Sequence, residues 1–229
     1  MINRRRFLST VGTVGSAALF SPCDVLRARL MAATPFFGLH PFIDAHPEAV
    51  FIKRTRVPHK TDAAAKQQEG YELATEIFML RETPGIPLSH RIAIKPNLTC
   101  TSGTGGTEAG MGIITDSAFV EGIIGGIKHV GFPASRIYLR EGNWLGDGYC
   151  PRESTVGGYL DVAARTGVHL TDFDSGRQAH ELSRETLQEG SEVTWVDCRD
   201  GVVFRRIGYV APINQPDTWL LNIAKFKTH

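Results

Sequence analysis

Lysine residues and an amide follow short apolar runs at two distant places in the chain. Lys95 and Asn97 come directly after the apolar run 92–94, and Lys225 and Lys227 come directly after the run 219–224. Lysine supplies a mobile positive charge, and the asparagine amide can orient a polar group. If the fold brings these four residues together, they would suit a ligand that carries phosphate, sulfate or carboxylate groups.

The stretch that follows Asn97 is rich in glycine and threonine and includes Gly103, Gly105 and Gly106. Glycine lets backbone N–H groups approach an anion closely, and a helix predicted to begin at Thr115 would add the positive end of its dipole. Neither nucleotide fingerprint is complete, because no Lys-Ser or Lys-Thr follows these glycines and the third glycine of a dinucleotide site is missing. The stretch therefore predicts an anion site, and the alternative is a flexible surface loop.

Acidic residues and a histidine could add proton transfer or metal binding to such a site. Glu141, Asp172 and Asp174 each follow a further apolar run, and His229 is the last residue of the sequence. Carboxylates bind hard cations, and histidine moves protons near neutral pH. The candidate catalytic residues are Lys95, Glu141, Lys225 and His229, and the candidate metal ligands are Glu141, Asp172 and Asp174. The alternative for each lysine is a solvated strand end, and for His229 it is a chain terminus with no fixed position.

The elements that must position these residues follow from the spacing of apolar residues. A strand at 91–94, a helix from 115 to 131 and a strand at 136–140 form a unit of the right length for parallel pairing. The carboxyl ends of parallel strands meet at one edge, which is where open α/β sheets bind ligands. Further helices are predicted at 63–81 and 155–166, and further strands at 49–54, 168–174 and 219–224.

An antiparallel hairpin is predicted near 192–209, because two alternating runs flank the turn residues Asp200 and Gly201. The segment 33–58 is expected to be extended and to wrap the domain edge before the strand at 49–54. The predicted fold class is therefore α/β, with a mixed, mainly parallel sheet flanked by helices and one antiparallel hairpin.

The first residues resemble a twin-arginine export signal, with Arg4 and Arg5 followed by Phe7, Leu8 and a weakly apolar run. That run, 9–20, is shorter than the roughly 20 residues that a membrane span needs. The predicted organisation is a signal segment at 1–33 and a single α/β domain at 34–229, exported to the periplasm or beyond without a stable membrane span. The alternative is an ordinary basic amphipathic start.

Three motifs, in this order, resemble the domain-of-unknown-function 362 family. They are Ile92-Ala-Ile-Lys95-Pro96-Asn97-Leu98, Ile137-Tyr-Leu-Arg-Glu141-Gly142 and Leu221-Asn222-Ile-Ala-Lys225-Phe226-Lys227-Thr228-His229. The resemblance covers roughly residues 50 to 229 and implies an α/β fold with a site at the two lysine motifs. In that family more domain follows the second lysine motif, so the chain is expected to be truncated at its C-terminal end.

The same resemblance implies a second function class, because the family is sometimes joined to ferredoxin-type iron–sulfur modules. The cysteines of this chain speak against a cluster within it, since all four are spaced singly and form no Cys-x-x-Cys pair: Cys23, Cys100, Cys150 and Cys198. One disulfide with a spare thiol, or unpaired thiols, are the simpler interpretations. The cofactor stays unidentified, and a redox partner belongs to this second class.

The overall charge argues against a partner that is recognised by a large surface of one charge, such as nucleic acid. The sequence holds 25 Lys and Arg against 24 Asp and Glu, a formal charge of +1, and its basic residues are not interleaved with stacking aromatics. Nucleic-acid binding is therefore not expected. The sequence predicts an exported protein that binds or acts on an anionic small molecule, with or without a metal ion. The alternative is an iron–sulfur-associated electron-transfer or accessory protein.

Overall fold

The computed structural model describes residues 35–82, 85–97, 114–140, 158–170 and 188–224. All of them belong to one compact unit, Pro35–His229. Its strands are β1 Phe36–Leu39, β2 Phe78–Arg81, β3 Ile86–Pro87, β4 Arg91–Pro96, β5 Ile137–Leu139, β6 His169–Leu170, β7 Val193–Asp197, β8 Arg206–Val210 and β9 Thr218–Ile223. Its helices are α1 Pro41–Asp44, α2 Ala63–Ile77, α3 Ser117–Val130 and α4 Tyr159–Thr166.

A parallel sheet forms the centre of this unit. Its strand order is β6-β5-β4-β9, and each neighbouring pair runs in the same direction. Strand β1 pairs antiparallel with both β2 and β3 in a second sheet, and β7 pairs antiparallel with β8. The predicted α/β class, with a mainly parallel sheet and an antiparallel hairpin near 192–209, is confirmed.

Helix α3 packs its predicted apolar face into the core. Val120, Ile124 and Ile127 are fully buried, and they share one cluster with Ile92 and Ile94 of β4. Left-handed Gly131 ends the helix, with a φ of 114° that a side chain would strain. The amphipathic pattern was informative here because one face of the helix must cover the sheet.

Helices α2 and α3 approach each other closely through glycine. A Cβ atom at Gly122 would lie 1.9 Å from the carbonyl oxygen of Gln67, and one at Gly70 would lie 2.1 Å from that of Phe119. Such distances are far below van der Waals contact. The backbones of α2 and α3 can therefore touch only because Gly70 and Gly122 have no side chain. This contact fixes α2 against the helix that follows β4.

Three local predictions were wrong. The helix predicted at 63–81 ends at Ile77, because Phe78–Arg81 pairs with β1 and the Phe78 ring packs 5.1 Å from that of Phe37. The segment 33–58 was expected to be extended until a strand at 49–54. Instead, the segment turns into helix α1 at Pro41–Asp44 after β1, and 49–57 forms no strand, with Ile52 92% exposed.

Among the described strands, β9 lies at one end of the parallel sheet, and Leu220 is exposed on one of its faces. Trp219, Leu221 and Ile223 on the other face pack against the core. Within the described ranges, no helix is both long and apolar enough to cross a membrane.

Candidate functional site

Strands β4 and β9 lie side by side and lead to the two lysine motifs. Lys95 pairs with Asn222 and Pro96 with Ile223 in the parallel register. At the other end of the two strands, the guanidinium of Arg91 forms a salt bridge with Asp217. The two strands are therefore tied at their starts, and their carboxyl ends reach the same edge of the sheet.

Thr115 holds the two strand ends together. Its hydroxyl accepts a hydrogen bond from the backbone N–H of Asn97 and donates one to the carbonyl of Ile223, both at 2.9 Å. Its own N–H donates to the Asn97 carbonyl, and the Tyr159 hydroxyl donates to the Thr115 carbonyl at 3.0 Å. Thr115 is only 4% exposed. These contacts give it a positioning role at the edge, and direct ligand binding by Thr115 stays a prediction.

The start of α3 offers fewer donors to an anion than the sequence suggested. Asp116 is the N-cap, and its Oδ1 atom accepts hydrogen bonds from the backbone N–H groups of Ala118 and Phe119. Its Oδ2 atom lies 2.5 Å from the Nζ atom of Lys66. A capping carboxylate satisfies the donors that would otherwise meet an anion. The anion hypothesis therefore depends on the lysines and the glycine-rich stretch more than on the helix dipole.

Lys95 is half-buried at this edge, and its Nζ atom lies 3.4 Å from the carbonyl oxygen of Pro96. Paired residues in a parallel register project to the same face, so Lys95 shares the face of Asn222. Lys225 is two residues after Ile223, whose side chain packs against the core. If the strand continued, Lys225 would therefore lie on that face and not on the face of Lys95. The two lysines would therefore meet only if the chain turns across the edge after Ile223.

Arg140 is a cation at this edge that the sequence analysis did not select. It follows β5 directly, its backbone N–H donates to the Ile94 carbonyl at 2.8 Å, and its guanidinium donates to the Ala211 carbonyl. The residue is only 6% exposed. A buried guanidinium requires several partners, and the backbone of Arg140 lies beside β4, the strand that carries Lys95. The sequence signal that could have identified Arg140 is its position directly after the apolar run 137–139.

Many of the predicted site residues lie outside the described residues, and their placement stays a prediction. They are Gly103, Gly105, Gly106, Glu141, Asp172, Asp174, Lys225, Lys227 and His229, together with the signal segment 1–33. The described strands β5, β6 and β9 each end just before one of these groups, at the edge that β4 also reaches.

No cluster of three or more His, Cys, Asp or Glu residues that could hold a metal occurs within the described ranges. Of the cysteines, Cys198 lies in those ranges, where it carries a free, half-buried thiol at the end of β7. The iron–sulfur hypothesis stays a prediction.

Comparison with known proteins gave no match to a family model, to a curated protein or to a solved structure. The resemblance to the domain-of-unknown-function 362 family therefore stays a prediction that rests on the three short motifs.

Proposed function

We propose that this chain is an exported protein that binds, or acts on, an anionic small molecule at the carboxyl edge of the parallel sheet. One observation carries the proposal. Lys95 and Asn222 are neighbours in the register of β4 and β9, so both lysine motifs follow strands that end at the same edge. Ligands of open α/β sheets bind at that edge.

The charges around this edge favour an anion. Lys95 lies near the end of β4, buried Arg140 directly follows the adjacent strand β5, and Lys225 and Lys227 follow β9 in the sequence, the strand on the other side of β4. Four cations at or just after the ends of three neighbouring strands would attract phosphate, sulfate or carboxylate groups from solution. Asn97 could orient such a group through its amide, while Glu141 and His229 are the candidates for proton transfer.

Removal of the Lys95 charge tests the site. Isothermal titration of the full chain with inorganic phosphate, sulfate and citrate should give saturable binding for at least one of them. Lys95→Ala should weaken that binding by roughly 5- to 150-fold, which corresponds to about 1–3 kcal/mol for a charged hydrogen bond. Lys128→Ala is the matched control, because it removes the same charge from the last turn of α3, at the other end of that helix. Equal effects of the two variants would contradict the proposal.

A double-mutant cycle decides whether the two lysine motifs form one site. If Lys95 and Lys225 contact the same ligand, the losses from Lys95→Ala and Lys225→Ala should differ from additivity by at least about 0.5 kcal/mol. Strictly additive losses would show two separate charge effects, and the single-site proposal would then be abandoned.

A further inference from the structure

The tip of the hairpin formed by β7 and β8 exposes three consecutive apolar residues. Val202 is 98% exposed, Val203 78% and Phe204 66%. Contact between water and large apolar side chains is unfavourable, so a run of three such residues on a surface calls for a function. A contiguous apolar patch of this kind is typical of a surface that meets something less polar than water.

Backbone hydrogen bonds hold this tip in a defined shape. The N–H of Cys198 donates to the carbonyl of Arg205 at 2.8 Å and closes the loop 198–205, and the N–H of Gly201 donates to the Cys198 carbonyl at 3.0 Å. A Cβ atom at Gly201 would lie 2.0 Å from the carbonyl oxygen of Phe204, so the chain folds back tightly on itself there. Because the loop is already closed, it loses little conformational entropy when its apolar side chains meet a partner.

The hairpin is anchored to the rest of the unit at its base. The Ala211 N–H donates to the Glu192 carbonyl at 2.9 Å, and the Arg140 guanidinium donates to the Ala211 carbonyl. Val193, at the start of β7, is fully buried. Among the described elements, no other helix or strand packs extensively against β7 or β8. The apolar tip is therefore at the end of the hairpin opposite its anchored base.

Two arginines flank the apolar tip. Arg199 and Arg205 are exposed, and neither forms a salt bridge within the described part of the chain. Arg206, by contrast, lies 3.6 Å from Asp197. The loop 198–205 holds two arginines and one aspartate, a net charge of +1. Arginine beside exposed apolar residues suits a surface of anionic phospholipid, because the guanidinium stays at the phosphate groups while the apolar side chains enter below them.

A second exposed apolar run, 50–52, has different surroundings. The Phe51 ring packs 5.9 Å from that of Phe42 in α1. Lys53, which follows this run, lies 2.8 Å from Glu76 and 3.7 Å from Glu72, both in α2. The run therefore lies along two helices and its neighbouring lysine is paired with carboxylates. It serves below as a control for exposed apolar surface in general.

We infer that the hairpin tip 202–204 is a membrane contact, which inserts its apolar side chains into the surface of a bilayer that contains anionic phospholipid. A protein partner is the less suitable occupant, because three side chains at a hairpin tip are far fewer than the roughly 20–30 residues per side of a stable interface. A bilayer accepts such a tip without a complementary surface. The overall charge of +1 supplies no broad attraction, so the contact is weak and depends on the tip. It uses neither Lys95 nor the sheet edge, and it is independent of the proposed anion site.

Flotation of the full chain with lipid vesicles tests this inference. Wild type should bind vesicles of equal parts phosphatidylglycerol and phosphatidylcholine more tightly than pure phosphatidylcholine. Val203→Ser combined with Phe204→Ser should weaken binding by roughly tenfold or more, because less apolar surface leaves water. Arg199→Gln combined with Arg205→Gln should weaken binding to the anionic vesicles alone.

The matched control is Val50→Ser combined with Ile52→Ser, at residues that are 85% and 92% exposed. This control should change vesicle binding by less than about twofold, since the run 50–52 stays outside the bilayer. If the tip variant binds vesicles like wild type, or no more weakly than the control, the inference is wrong. It is also overturned if the tip variant lowers the urea midpoint or dissociates a dimer, because the tip would then pack against the chain itself or a second copy.

A tryptophan at the tip reports the contact directly. Phe204→Trp places the indole at a position that is 66% exposed, and Phe42→Trp is the matched control at 59%. In vesicles that contain brominated phospholipid, the added fluorescence of Phe204→Trp should be quenched and that of Phe42→Trp should not. This readout separates insertion of the tip from attachment through the predicted signal segment 1–33. Equal quenching of the two variants, or no quenching of Phe204→Trp, would contradict insertion of the tip.

Discussion

Replacement of Thr115 by valine should destabilise the whole unit, although it changes the side-chain volume very little. The substitution removes the hydroxyl that joins Asn97 to Ile223, and both backbone groups then lose a partner. Each hydrogen bond contributes about 1 kcal/mol, and a buried group left without a partner costs about 1–3 kcal/mol. Because Asn97 and Ile223 are half-buried, water can relieve part of this cost. We expect a loss of about 2–3 kcal/mol in the free energy of unfolding.

Urea unfolding followed by circular dichroism measures this loss, and a thermal scan should show a decrease in Tm of about 5–10 °C. Thr75→Val is the matched control. The Thr75 hydroxyl donates to the helical carbonyls of Tyr71 and Glu72, so its removal should cost less than about 0.5 kcal/mol. Thr115→Ser should retain most of the stability, because it keeps the hydroxyl. If Thr115→Val is no more destabilising than Thr75→Val, the hydroxyl does not hold the strand ends together.

Two further predictions concern other parts of the chain. Gly122→Ala should destabilise the unit by roughly 2 kcal/mol or more because its Cβ atom would collide with the Gln67 carbonyl, whereas Gly125→Ala, which meets only a Tyr71 ring carbon at 3.6 Å, should be neutral or slightly stabilising. Chemical denaturation of both variants checks the difference, and equal losses would refute the close-contact explanation. Arg4→Lys combined with Arg5→Lys should retain the protein in the cytoplasm, and cell fractionation that shows unchanged export would contradict the signal hypothesis.

The sequence was most informative where structure depends on local patterns. The apolar runs around Ile94, Ile137 and Trp219 predicted three strands of the parallel sheet, and the periodicity of α3 predicted which residues are buried. The existence of the hairpin was predictable for the same reason, because its two alternating runs are close in sequence. Its turn was not, because the strands are joined by residues 198–205 and the second strand begins only at Arg206.

The sequence was least informative where distant segments decide the structure. The apolar pattern of the preceding helix continues through residues 78–81, yet these residues form a strand because they pair with β1. Strand β1 lies at 36–39, so no local pattern around 78–81 could predict the pairing. The same limit applies to the sites. The hydrogen bonds of Thr115 reach residues of three other segments, at Asn97, Ile223 and Tyr159. No spacing rule predicts such contacts.

The contact between α2 and α3 also indicates how distant relatives could be recognised. At Gly70, Gly122 and Gly126, a Cβ atom would fall within 2.6 Å of another residue, so the two helices can keep this separation only with glycine at these positions. Residues on the surface of the same helices have no such restriction and are free to diverge. A chain whose overall sequence has changed beyond alignment should therefore still show one glycine in the helix that corresponds to α2 and two glycines, four positions apart, in the helix that corresponds to α3.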